Sequence, residues 1–187
     1  MELLDVVTKD GLPTGEVVER SAAHAKGIFH RTSHVWIFRK RGETVEVLLQ
    51  KRSANKDSYP GCYDISSAGH IPAGFDFIPS ALRELREELG IAAAGEELLY
   101  CGRRLIHFEA VFHGRDFIDN QVSNIYMLWR DAEPDALSLQ AEEVESVLWL
   151  PFDVCCEKVR NGQIPNCIVP EELDILRQAL QKQGLLP

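Results

Sequence analysis

Apolar positions change their period several times along the chain, and each change predicts an element. Glu2 to Thr8 and Glu16 to Glu19 read as short strands around Lys9-Asp10-Gly11, with Pro13 and Gly15 following, which predicts a hairpin. Ser21 to Arg31 is less regular and reads as a lead-in. His34 to Lys40 (HVWIFRK) and Val45 to Arg52 (VEVLLQKR) are rich in β-branched and apolar residues and flank Arg41-Gly42-Glu43, a good antiparallel pair. Ser53 to Gly61 has the composition of a loop, and Tyr63 to Ser66 reads as a short strand. From Phe77 to Leu89 the period becomes helical. Ile78, Ala81, Leu82, Leu85 and Leu89 share one face at about 100° per residue. Asp76 suits the N-cap, Pro79 is tolerated in the first turn, and Gly90 is a C-terminal stop.

After that helix, Glu97 to His107 predicts a strand, followed by a loop through Gly114. Gln121 to Arg130 reads as a core strand, and Glu142 to Leu150 as another, with Val144, Val147 and Trp149 pointing inward. Pro151 and Asp153 open a helix that Asn161-Gly162 closes, and Pro170 and Glu171 open a last helix reaching about Gln183. This order predicts an α/β protein, a sheet sandwiched between helices. A chain of 187 residues suits one domain, with an N-terminal hairpin and lead-in over 1–31 and the core sandwich over 32–187.

The central helix also carries candidate chemistry. Glu84, Glu87 and Glu88 fall in one arc beside the apolar face, with Arg83 and Arg86 on the remaining side. Like charges three and four residues apart, towards the negative end of the helix dipole, each cost a few tenths of a kcal/mol. A local rule broken in this way marks a candidate site. Three carboxylates on one face suit a hard divalent cation whose shell substrate phosphates complete.

The stretch Arg83-Glu84-Leu85-Arg86-Glu87-Glu88-Leu89-Gly90-Ile91 resembles the second half of the Nudix box at every fixed position. Gly69 is in register with the box's opening glycine, while Phe75 stands where the pattern has its first glutamate. The resemblance implies the Nudix α/β/α sandwich with a mixed sheet, and a hydrolase that cleaves a diphosphate linkage with Mg²⁺ or Mn²⁺. It assigns the metal to Gly69, Glu84, Glu87 and Glu88, makes Glu84 and Glu87 catalytic, and has Arg83 orient a glutamate. Candidates for the general base are Glu84, Glu142 and Glu143. Lys51 and Arg52, near Lys56, are a candidate phosphate clamp, and His70 and Glu143 are further candidate substrate contacts. Phe75 keeps a second reading open, a Nudix fold that binds or regulates with little turnover.

Tyr59 to His70 also resembles the branch that includes isopentenyl-diphosphate isomerase. His24, His30 and His70 roughly match histidines that hold a metal in that isomerase, although the gap between His24 and His30 differs. The isomerase's proton-transferring cysteine and glutamate correspond here to Ala68 and Gln121, and neither can move a proton in that role. Isomerisation is therefore the less favoured activity.

Composition narrows the partners. The net charge of −9 and the lack of a long Lys/Arg tract argue against nucleic-acid polymers and anionic membranes. Five cysteines with no CxxC pair suggest neither a disulfide framework nor a zinc site. No signal pattern or membrane span is visible, so a cytoplasmic protein is expected, and the resemblance implies a small diphosphate substrate as its partner. A homodimer is plausible. Phe108, Phe112, Phe117 and Tyr126 are candidates to stack a base, with core packing the commoner use of such rings.

Overall fold

The computed structural model describes residues 2–56, 58–112 and 114–186. Two strands, β1 (Leu3–Val7) and β2 (Pro13–Glu19), form the expected hairpin, and helix α1 (Arg20–Lys26) follows. The long strand β3 (His30–Arg41) leads to β4 (Thr44–Arg52), then to β5 (Tyr63–Asp64), β6 (Ser67–His70) and helix α2 (Phe77–Leu89). Strands β7 (Leu99–Phe112) and β8 (Arg115–Trp129) are followed by β9 (Val144–Pro151) and helices α3 (Phe152–Arg160) and α4 (Pro170–Lys182).

The main sheet runs β5-β4-β3-β8-β7, with β6 on β3 and β9 on β4. Its mixed character comes from β3 and β8, which pair in parallel from His30↔Gln121 to Phe38↔Trp129. Along its other edge β3 changes partner. Thr32 to Val35 pair with β6, and Phe38 to Arg41 pair with β4. The short strand bearing Gly69 is thereby set against the first half of the longest central strand.

Helices cover both faces, so the central strands are continuous apolar runs rather than alternating ones. Val35, Ile37, Leu48 and Leu128 pack against Ala81, Leu85 and Leu89 of α2. The intervening residues Trp36, Phe38, Val47, Leu49 and Met127 meet Phe152, Cys155 and Val159 of α3 and Leu173, Leu176 and Leu180 of α4. The expected sandwich is therefore present.

Several local expectations need correction. The lead-in is not irregular: Arg20–Lys26 is helical, ended by Gly27 at φ 64°. Strand β3 begins four residues before the expected His34, because β8 and β6 extend the ladder to His30. Where a loop through Gly114 was expected after His107, the chain instead forms the outer part of a β7–β8 hairpin, paired from His107↔Asn120 to Phe112↔Arg115. On α2, Ile78 is exposed and Glu88 is buried, so the inward face is rotated towards the carboxylates. Phe108, Phe112 and Phe117 are not core residues. Phe108 and Phe112 meet Tyr59, and Phe112 meets Phe117, whereas Tyr126 does lie in the core.

Candidate active site

Local signals fix α2. The Asp76 carboxylate accepts from the Phe77 amide at 2.7 Å, and Gly90 (φ 70°) returns its N–H to Arg86 and Leu85. Leu85 and Leu89 anchor the helix on the sheet, which brings Glu84 onto β6. The approach is very close. A Cβ on Gly69 would lie 2.4 Å from Cγ and Cδ of Glu84 and 2.6 Å from Oε1. Only glycine admits this contact between a carboxylate and the strand backbone. Arg83 donates from Nη2 to Glu84 Oε1 at 2.5 Å, and its Nε lies 3.8 Å from Glu87 Oε2. One guanidinium thus ties two of the three glutamates.

The three acids occupy different environments. Glu87 is the most open, with its side chain about half exposed. Burial pushes Glu84 above the usual carboxylate range, partly countered by Arg83 and reinforced by Glu87. Glu88 is only 6 % exposed and accepts from Ser67 Oγ at 2.8 Å. Burial raises it to about 8 against that hydrogen bond, with Glu84, Asp64 and Glu143 adding to the rise. Ser67 is a site residue that the sequence reading missed. Its spacing of two from Gly69 on one strand was the available signal, because such residues share a face.

The proposed basic contacts are all engaged with acids or carbonyls. Lys51 donates to Glu145 at 2.6 Å. Arg52 holds Asp64 at 2.9 Å and the Ser58 carbonyl at 3.1 and 3.2 Å, clasping the loop that follows β4. Lys56 is paired with Glu143, and the Glu143 carbonyl accepts from Ser53 N at 2.9 Å. Phe75 points to solvent at 57 % exposure, while its carbonyl is fixed by Arg31 Nη2 at 2.8 Å.

His70 follows Gly69 on β6 and so turns to the other face of the sheet. There its ring lies 5.1 Å from that of His30 and 5.3 Å from that of His24. Burial lowers all three histidines; His24 falls to about 3, with His30 and Arg20 contributing. Asp119 on β8 has Oδ1 3.6 Å from His24 Nε2 and 3.5 Å from His30 Nε2. With the imidazoles neutral, these contacts are not ion pairs.

Comparison with known proteins decides the family. The NUDIX domain profile matches residues 28–166. The chain belongs to the Nudix family. It is 36 % identical to an uncharacterised Nudix hydrolase of Clostridium acetobutylicum over 81 % of this chain and 71 % of that one. A second uncharacterised Nudix hydrolase, from Pseudomonas aeruginosa, is 31 % identical over 94 % of this chain and 92 % of its own length. Nudix hydrolase 3 of Arabidopsis thaliana is 40 % identical over 81 % of this chain, which spans only 19 % of that larger protein. Among solved structures, a Deinococcus radiodurans protein superposes with a TM-score of 0.67 at 19 % identity, covering 92 % of this chain and 98 % of that one. The NUDIX domain of Shewanella oneidensis NrtR, complexed with ADP ribose, gives 0.57 at 16 % identity, covering 87 % and 94 %. These likenesses identify a Nudix hydrolase with the Nudix fold. Among the described residues no helix is long and apolar enough to cross a membrane.

Proposed function

We propose that this Nudix hydrolase cleaves a diphosphate linkage in a nucleoside-diphosphate-type or other organic diphosphate, using a divalent ion, Mg²⁺ or Mn²⁺, held by Gly69, Glu84, Glu87 and Glu88. The observation that carries the reading is the interlock of Gly69 with Glu84, a cradle in which any Cβ would displace the carboxylate. An all-oxygen donor set of carboxylates and bare backbone fits a hard cation. When bound, that ion neutralises the phosphates and polarises phosphorus towards attack.

The chain's own groups divide the remaining work. Glu87, the most accessible acid, meets the incoming complex first. Burial favours the protonated form of Glu88, and a bound ion would favour its carboxylate, so metal binding would be coupled to proton release. Glu84 is raised by burial, which makes it a better proton acceptor for an attacking water, and Arg83 holds its oxygen in place. Glu143 is the alternative base and would first have to leave Lys56. Ala68 and Gln121 supply neither acid nor base, so isomerisation is not proposed.

The test is release of phosphate or nucleoside monophosphate from a panel of nucleoside triphosphates, nucleotide sugars, dinucleoside polyphosphates and prenyl diphosphates with Mg²⁺ or Mn²⁺. Glu87→Gln is expected to lower kcat by about 10²-fold or more on the active member. Turnover unaffected by the substitution would remove the assigned site. Phe75 favours one second reading, a binding protein with little turnover. A folded protein that binds a diphosphate but cleaves no member of the panel would select it.

A further inference from the structure

The loop that joins β6 to α2 governs how Gly69 meets Glu84. It runs from Ile71 to Asp76, and Phe75, at the place of the box's first glutamate, turns its ring to solvent. Residues of the N-terminal hairpin and of β3 hold its backbone instead. The Ile71 amide donates to the Arg31 carbonyl at 3.0 Å, and the Ala73 amide to the Leu3 carbonyl at 2.8 Å. Leu4 of β1 forms an antiparallel bridge with Pro72. Strand β1 therefore lies alongside the loop and pairs with it.

Two side chains close this clamp. Arg31, buried on β3, donates from Nη2 to Asp5 Oδ2 at 2.9 Å and to the Phe75 carbonyl at 2.8 Å. The same Asp5 oxygen accepts from the Gly74 amide at 3.0 Å. Arg31 Nη1 lies 4.0 Å from Asp76 Oδ1, and the guanidinium carbon is 5.4 Å from the centre of the Phe77 ring. One guanidinium thus reaches β1, the loop, the N-cap of α2 and its first residue. Charge-assisted hydrogen bonds of this kind are stronger than neutral ones. A lysine ammonium, a point charge without the planar fork, does not reproduce this spread of contacts.

We propose that Arg31 and Asp5 are positioning residues for the site of Gly69 and Glu84, and that the N-terminal hairpin holds the box loop through them, with no contribution from the side chain at position 75. The proposal rests on the metal-site reading given above. Its physical basis is the tightness of the contact between β6 and α2, where Glu84 meets the backbone of Gly69 with no room for a methyl group. Leu85 and Leu89 hold the later turns of α2 on the sheet, while the first turn depends on Phe77 and on the loop before it. A displacement of that turn by about 1 Å would part carboxylate and backbone, and misplacements of this size can cost about 10²-fold in rate.

The hairpin suits this role because it is itself anchored. Leu4 and Val7 are buried, and the Val7 amide donates to the Phe29 carbonyl at 3.0 Å, beside the start of β3. Gly74 adopts φ 79°, a conformation that favours glycine, and its amide is the one that Asp5 holds. With the clamp in place, Phe75 subtracts an acid from the box without freeing the loop.

The first measurement needs neither metal nor substrate. Amide hydrogen exchange of the full chain in chelator should speed up about 10-fold or more at Ala73, Phe75, Ser80 and Ala81 in Asp5→Ala, with β4 and β9 unchanged. Arg31→Lys, which keeps the charge, should do the same. Mn²⁺ at the box is then titrated by electron paramagnetic resonance, as the binding that Glu87→Gln abolishes. Asp5→Ala and Arg31→Lys should each weaken it about 10- to 100-fold, and on a turned-over diphosphate they should lower kcat with little change in KM. Phe75→Glu should match wild type in exchange, Mn²⁺ affinity and kcat. Unchanged exchange in both clamp variants, or tighter Mn²⁺ binding in Phe75→Glu, overturns the clamp. Faster exchange with unchanged Mn²⁺ affinity overturns the positioning role. Absence of any Mn²⁺ binding sensitive to Glu87→Gln overturns the metal-site reading instead, and the exchange rates still decide whether the hairpin holds the loop.

Discussion

Replacing Glu88 by glutamine should stabilise the metal-free protein, and the effect should grow with pH. In the native state burial holds this carboxyl near 8, whereas the unfolded chain releases its proton near the ordinary 4.5. Between those values the native state keeps a proton that the unfolded state has lost. Wild-type stability therefore falls as pH rises through this window and levels off above it. At about 1.4 kcal/mol per pH unit, the full penalty is about 5 kcal/mol at pH 9, about 3 kcal/mol at pH 7 and near zero at pH 4. Glutamine carries no such penalty and still accepts from Ser67. Urea denaturation in chelator at pH 4, 7 and 9 should show the Glu88→Gln curve diverging upward from wild type by these amounts. Saturating Mg²⁺ should narrow the gap by stabilising the ionised wild-type carboxylate, about 2.7 kcal/mol at a hundredfold excess over Kd. Equal pH slopes, or a less stable variant at pH 9, would refute the reasoning.

Three further outcomes follow from the same geometry. Gly69→Ala puts a methyl 2.4 Å from the flexible end of Glu84, so urea melts should show a loss of no more than about 2 kcal/mol while kcat falls about 10²-fold. Arg83→Ala should lower kcat with little change in KM, since it frees Glu84 and Glu87 from their shared guanidinium. Glu172→Gln should cost about 3–5 kcal/mol by the same melts, because that buried carboxylate accepts from His34 at 2.7 Å and Trp36 at 3.0 Å and pairs with Arg104 at 3.2 Å. Burial alone would raise Glu172, but His34, Arg104 and Trp36 outweigh it and hold the group below the usual range. Its contribution should therefore be present at neutral pH and lost on acidification below about 4.5.

The boundaries of α2 were legible because capping is local: Asp76 and Gly90 act on residues beside them. The carboxylate arc was legible for the same reason. The burial of Glu88 was not, since it depends on Ser67 of β6 covering one edge of that arc. Helix α1 escaped because seven residues hold about two turns, and Glu19 at its N-cap makes no capping hydrogen bond with its side chain. The outer β7–β8 ribbon escaped because it leaves the sheet, so neither face carries a sustained apolar run. Asp119 was hidden with it, since an isolated acid acquires meaning only when β8 lies beside α1 and β3.

Strand β6 imposes a limit on how this chain can change length. Gly69 and His70 are adjacent, yet one faces the glutamates of α2 and the other faces the histidines behind the sheet. Deleting or inserting one residue between Ile65 and Gly69 would reverse that alternation. It would drive an imidazole into Glu84 and leave a glycine opposite His24 and His30. Over these four residues, a shift of one position would undo the contacts on both faces of the sheet together.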